Sequence, residues 1–241
     1  MSFRRVFYPD FVLDSASGFA LLVDSLSPTS WWRLGEGSGT TAVDEQGLNN
    51  GTYTGSITLG SAGLVTGDAN TAITINSTTA YVDLSGATTA YADMTNGFSA
   101  LCITDLVSIN AGGFSCPFGF KSSGTYPFIF CYSNVGGYSD ISWGIASGGD
   151  GSMHATATVT NQLMALLTYS GTAYTLYING TVVSTVGGSN FAARTNASRL
   201  GDLPDGGNVS LNGVLDEVAV WTGTVLTATD AMDLAVAAGY A

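Results

Sequence analysis

Positive charge is scarce in this sequence. Six lysines and arginines stand against 18 aspartates and glutamates, for a formal net charge of −12. A phosphate backbone would be repelled by such a chain, which argues against nucleic-acid binding. Charge of either sign is sparse: 10% of residues are charged, against about 25% in ordinary globular proteins. Histidine occurs once and cysteine three times. Cys102, Cys116 and Cys131 lack metal-site spacing, so a zinc centre is not expected. Each lies in an apolar, strand-like run and reads as a buried free thiol, with a single disulfide as the less favoured alternative. No window approaches the ~20 apolar residues of a membrane span. The opening "MSFRRVFYPDF" is basic, but Pro9, Asp10 and Asp14 interrupt the apolar segment an export signal requires. The expectation is a soluble chain that does not leave the cell by the usual route.

What is abundant is glycine, 32 residues, within a chain that is 45% apolar. That combination predicts many turns, few long helices and ample core. Short alternating segments recur between Gly, Asn, Asp and Ser clusters, as in "TAYVDLS" (79–85), "FSALCITDLVSI" (98–109), "YPFIFCYS" (126–133) and "LMALLTYS" (163–170). Such spacing predicts an all-β sandwich or barrel. Asn179-Gly180, between "AYTLYI" and "TVVSTV", predicts a two-residue hairpin turn of type I′. Helix is expected twice. Near the end, Thr227 is an N-cap with Asp230 three residues on, and Ala231, Leu234, Ala235 and Ala238 form an apolar stripe that Gly239 stops. Near the start, residues 17–26 carry a weaker pattern that Pro28 ends.

Composition shifts at the N-terminus. Phe3, Arg4, Arg5, Phe7, Tyr8 and Phe11 crowd the first residues. Aromatics in such an arm need a surface to bury them, either the arm's own domain or a partner. The expected division is a docking segment over residues 1–25 and a sandwich domain over 26–241.

Three stretches carry a resemblance: "SWWRLGEGSGTTAVDEQGLNNGTYTG" (30–55), "YTLYINGTVVST" (174–185) and "RLGDLPDGGNVSLNGVLDEVAVWTGTVLTATDAMDL" (199–234). Together they resemble the opening strand, the hairpin and the closing strand of laminin-G-like members of the concanavalin A-like lectin/glucanase superfamily. Residues 86–160 match by strand pattern alone. Gln162-Leu163-Met164 stands where the family often has Trp-His. The resemblance implies two antiparallel sheets packed face to face in a jelly roll. The first and last strands would be neighbours, and Trp31, Trp32 and Trp221 would fill the space between the sheets.

Asp216 and Glu217 stand in the middle of the closing strand. Consecutive strand residues point to opposite faces, so the two acids are not expected to act as a pair, and Glu217 is expected on the outer face, either in a salt bridge or facing solvent. The superfamily's glucanases carry Glu-x-Asp-x-Glu, which places two carboxylates together for hydrolysis. The glutamates here, Glu36, Glu45 and Glu217, form no such motif. His154 has no catalytic pattern around it. No enzyme activity is expected. The resemblance further implies a structural Ca²⁺ held by Asp216 with backbone carbonyls of Glu36 and Gly37; Asp44, Asp202 and Asp205 are further candidates or plain turn residues. Tyr126, Tyr132, Tyr138 and Trp143 lie near glycine-rich loops and are the candidate sugar-stacking aromatics. The expected function is a non-catalytic virion surface protein of a bacteriophage, a decoration or adhesion module of head or tail. Its arm would dock to capsid or tail proteins, and copies would be oligomeric or arrayed on the particle. The sandwich would be displayed toward host-surface glycan. The alternatives are a stand-alone extracellular carbohydrate-binding module of a bacterium and, less favoured, a glycan hydrolase.

Overall fold

A computed structural model of the chain describes residues 15–85, 96–108, 114–120, 128–133, 140–144, 153–155, 162–187, 198–204 and 210–241. A helix, α1 (Ser15–Ser25), comes first, followed by β1 (Ser30–Trp32), β2 (Thr41–Ala42), β3 (Gly51–Thr54), β4 (Ile57–Ala62), β5 (Thr71–Ile75) and β6 (Tyr81–Asp83). Next are β7 (Phe98–Leu106), β8 (Phe114–Phe120), β9 (Phe128–Ser133), β10 (Asp140–Gly144) and β11 (Met153–Ala155). The chain closes with β12 (Gln162–Tyr169), β13 (Ala173–Ile178), β14 (Thr181–Gly187), β15 (Ser198–Leu200), β16 (Gly213–Thr222) and α2 (Ala228–Ala238).

The strands form two antiparallel sheets. The first runs β14-β13-β12-β7-β16-β5-β4, with β1 also on β16; the second runs β11-β10-β9-β8-β15-β6-β3-β2. This is the expected sandwich. Between the sheets lies one apolar cluster, with Ile73, Leu167, Leu215, Val218 and Val220 from the first sheet and Val82, Phe118 and Leu200 from the second. Burying a large side chain of this kind stabilises the fold by about 1.5–3 kcal/mol.

A second apolar cluster covers the opposite face of the first sheet. There Phe19 and Val23 of α1 and Ala231, Leu234, Ala235 and Ala238 of α2 pack on Leu101, Ile103, Met164, Leu166 and Ala219. The molecule thus has a third layer, of helices. The tryptophans divide between the layers: Trp32 lies between the sheets, whereas Trp31 and Trp221 lie under the helices. Adjacent residues on a strand face opposite ways, so Trp31 and Trp32 could not both enter the same core. Phe19 and Val23 of α1, inside the segment expected to dock, are fully buried against the first sheet.

Local signals hold in detail. Asn179 and Gly180 have φ of 49° and 77°, as a type I′ turn requires. Thr227 and Asp230 form a reciprocal capping box, and Gly239 closes α2 at φ 85°. The first strand pairs with the last, Trp31 opposite Ala219 and Trp32 opposite Val218.

Candidate functional site

Strand β16 changes neighbours halfway along. On one side it follows β7 throughout. On the other it pairs with β5 at Gly213–Leu215 and with β1 at Val218–Val220. The two acids occupy the changeover, where the ladder to β7 shifts register between Asp216 and Ala219. Glu217 is the extra residue of this bulge and adopts φ 46°, a left-handed conformation uncommon for a non-glycine residue. The extra residue alters the alternation. Leu215 and Val218 both face the inter-sheet core, so both acids turn toward the helix-covered side. This corrects the expectation that they point apart. Glu217 does not face solvent, being 0% exposed beside Asp216 at 1%; of its two expected states, it takes the salt bridge, to Arg33.

The loop after β4, strand β1 and the residue just after β1 supply their partners. The backbone N–H of Leu64 donates to Asp216 Oδ2 at 2.7 Å. Trp31 Nε1 donates to Glu217 Oε2 at 2.7 Å, and Arg33 Nε donates to Oε1 at 2.9 Å. Arg33 also pairs with Asp68 at 2.6 Å. Two carboxylates therefore share one guanidinium, and Asp216 lies within reach of its charge. Burial raises the pKa of Asp216, against the pull of Leu64 and Arg33. Burial raises Glu217 too, and the Asp216 charge adds to the rise. Burial works against Arg33, but Glu217 and Asp68 outweigh it and hold its proton more firmly than usual.

Calcium finds few ligands here. Asp216 Oδ1 is buried without a hydrogen-bond partner, which is one open oxygen where calcium takes six to eight. Both Glu217 oxygens are occupied, and the backbone carbonyls of Arg33 and Gly35 accept from Asn70 and Thr71. Glu36 turns its carboxylate to the Val43 N–H and the Tyr53 hydroxyl, and Gly37 is exposed. Among the described residues no group of three or more His, Cys, Asp or Glu is placed to hold a metal. Asp216 Oδ1 is thus one oxygen open to a cation, with the Arg33 charge close beside it. Asp44 is a turn residue: it is buried and accepts from the backbone N–H groups of Trp31, Gln46 and Asn49.

A different constellation stands on the outer face of the second sheet. Val82 and Leu200 enter the core, so Tyr81, Asp83 and Arg199 turn outward. Arg199 is paired with Asp83 in the β15–β6 register. Its guanidinium carbon lies 3.7 Å from the centroid of the Tyr81 ring. Its Nη1 meets Asp202 Oδ2 at 2.8 Å, and the Ser210 hydroxyl holds Oδ1 of the same carboxylate at 3.0 Å. Burial raises the pKa of Asp202, more than Ser210 and Arg199 lower it. Thr52 and Thr54 of β3 lie opposite Asp83 and Tyr81. The segment after β15 passes over β8 at Gly119, where a Cβ would come within 2.7 Å of the Asp202 carbonyl. That close approach seats Asp202 beside Arg199.

Of the aromatics expected to stack on sugar, Tyr132 lies on β9 and Trp143 on β10, neighbouring strands of the second sheet. Their side chains lie outside the described residues, as do Tyr126, Tyr138, Asp205 and the arm residues Phe3, Arg4, Arg5, Phe7, Tyr8 and Phe11. His154 lies on β11 opposite Ser142. Cys102 and Cys116 are buried free thiols, and burial pushes the Cys102 thiol well up from its ordinary range. The Tyr81–Arg199 cluster was missed in the sequence. Its signal was the alternation of "YVDL", polar residues at 81 and 83 and apolar ones at 82 and 84.

A family model described as the concanavalin A-like lectin/glucanases superfamily, of laminin G type, matches residues 76–231. A search of curated protein sequences gave no match. Solved structures are similar in fold. A sialidase of Trypanosoma rangeli, in complex with a difluoro-nononic acid, is 9% identical with a TM-score of 0.64; the match covers 86% of this chain and 32% of the sialidase. Domain 4 of AbnA, a GH43 extracellular arabinanase from Geobacillus stearothermophilus in complex with arabinotriose, is 15% identical with a TM-score of 0.58, covering 86% of this chain and 98% of that domain. The CBM40 module of the Ruminococcus gnavus IT-sialidase, bound to α2,3-sialyllactose, is 17% identical with a TM-score of 0.55, covering 68% and 96%.

Proposed function

The chain belongs to the laminin-G-type family of the concanavalin A-like lectin/glucanase superfamily, and on that premise we propose that it is a non-catalytic glycan-binding module. The observation that carries this reading is the Tyr81–Arg199 stack on the outward face of the second sheet. A planar aromatic body beside directed donors and acceptors is what a sugar requires, since a sugar combines apolar C–H faces with a rim of hydroxyls. Arg199 contributes N–H donors beyond the one given to Asp202. Asp83 uses Oδ1 for the Ser85 N–H and offers Oδ2 to a ligand hydroxyl. Thr52 and Thr54 add hydroxyls that both donate and accept. The carbohydrate-bound modules of similar fold support the same reading.

A non-catalytic role fits the acids. Glycoside hydrolysis takes two carboxyl groups flanking the scissile bond. Asp216 and Glu217 are buried and tied to Leu64, Trp31 and Arg33. Among the described residues of the outward face, Asp202 is held by Arg199 and Ser210, and Asp83 has no second free carboxyl beside it.

The experiment is glycan-array screening followed by calorimetry, with Tyr81→Ala as the control. The expected result is binding that weakens roughly tenfold in the variant, corresponding to about 1.4 kcal/mol. Binding that Tyr81→Ala leaves unchanged would remove this site. Display on a phage particle through the arm is a further proposal, supported by the aromatic and basic make-up of residues 1–14. Deleting residues 1–14 should then abolish particle association while glycan binding persists.

A further inference from the structure

We infer that the Tyr81–Arg199 site takes neutral glycans and turns away acidic ones, with Asp202 setting the preference through Arg199. This rests on the glycan-binding reading above and names the ligand class of that site. Among the described residues the cations are Arg33 and Arg199. Arg33 is held on the far side of the first sheet by Glu217 and Asp68, so among the described residues Arg199 is the cation placed to meet a sugar carboxylate.

Its charge is already answered. Asp202, 4% exposed, sits 2.8 Å from Arg199 and is fixed from behind by Ser210. A sugar carboxylate would have to draw the guanidinium off this partner and leave Asp202 buried and unpaired, an unfavourable exchange. Asp83, directly across from Arg199 in the sheet register, would repel the same carboxylate. The described residues of the patch thus carry one positive and two negative groups, in a chain of net charge −12. A hydroxyl meets none of these obstacles. It accepts from the remaining Arg199 N–H groups, donates to Asp83, and leaves the Arg199–Asp202 pair in place. Acidic sugars bound by structures of similar fold do not transfer, because likeness at 9–17% identity concerns the fold, whereas the preference lies in these side chains.

The test is an array of matched glycans, lactose beside α2,3-sialyllactose and arabinotriose beside uronate-terminated oligosaccharides, probed with the full chain at low and high salt. The expected result is binding to neutral members, at least tenfold over their acidic partners, with little salt dependence. Asp202→Asn frees the guanidinium charge and should narrow that ratio by tenfold or more, with acidic binding that weakens as salt rises. Asp83→Asn, a half-buried position, should narrow it in the same direction should the buried substitution impair folding. Preference for the acidic members in the unaltered chain, or a ratio that neither variant moves, overturns the inference and leaves the glycan reading standing. Absence of binding to every member overturns the glycan reading itself.

Discussion

The indole N–H of Trp31 reaches Glu217 Oε2 at 2.7 Å, joining residues 186 positions apart. It ties the first strand of the sandwich to the last at the point where β16 changes neighbours. Arg33 tightens the same junction by bonding Glu217 on one side and Asp68 on the other. The junction is therefore a clasp between three chain segments. Its acids Asp216 and Glu217 are buried, Arg33 and Asp68 are half-buried, and its geometry depends on the Glu217 bulge.

Removing the cation from the clasp should be costly. Arg33→Met leaves Glu217 buried and facing Asp216 without compensation. Breaking one half of a buried ion pair typically costs about 3–5 kcal/mol. Urea denaturation should show a loss of that size. Adding Glu217→Gln in the same chain should restore part of it, because a neutral amide still accepts from Trp31. A double variant no more stable than Arg33→Met would mean that the clasp is not the source of the loss.

The acid pair also fixes a pH dependence. Both carboxyls titrate higher in the folded chain than in the unfolded one, burial being the main cause. The folded state then holds more protons, so its stability falls as pH rises from the ordinary carboxylate range toward neutrality. Each upward displacement of one pH unit corresponds to about 1.4 kcal/mol. Asp216→Asn removes one titrating group and should flatten the slope of stability between about pH 4 and pH 8. A slope unchanged by that substitution would place the dependence elsewhere.

Chelation offers a separate check. Arg33 supplies the positive charge beside Asp216, and Asp216 Oδ1 is one open oxygen. EDTA should leave the melting temperature unchanged in metal-stripped buffer, and added calcium should not raise it. A drop of several degrees on chelation would restore the calcium expected from the family resemblance.

The sequence showed what local rules control. The Asn179-Gly180 turn, the capping box of α2 and its buried stripe follow from short-range chemistry that operates within a few residues. The meeting of β1 and β16 was legible through resemblance. The facing of Asp216 and Glu217 was not, because strict alternation presumes an unbroken ladder. The bulge arises from a tertiary event, the exchange of β5 for β1 along β16. The Tyr81–Arg199 contact was hidden for a related reason. It joins β6 to β15, which are far apart in sequence and adjacent in the sheet. Helix α1 was visible as a pattern, but not as a layer over the sheet, since its partners are spread over β7, β12, β16 and α2.

The C-terminus stabilises the clasp from a distance. The Tyr240 hydroxyl donates to the Leu64 carbonyl at 3.1 Å and accepts from Gln162 Nε2 at 2.9 Å. Leu64 in turn gives its N–H to Asp216. Tyr240→Phe keeps the ring and removes both hydroxyl bonds, but Gln162 still reaches the Leu64 carbonyl. The expected loss is about 1 kcal/mol, the size of a typical net hydrogen-bond contribution. Faster amide exchange at Leu64 should accompany it, because the Asp216 bond is then less well held. Glycan binding should be unaffected, since Tyr81 and Arg199 lie on the outward face of the other sheet. Weaker binding in this variant would mean that the two faces are coupled through the sandwich.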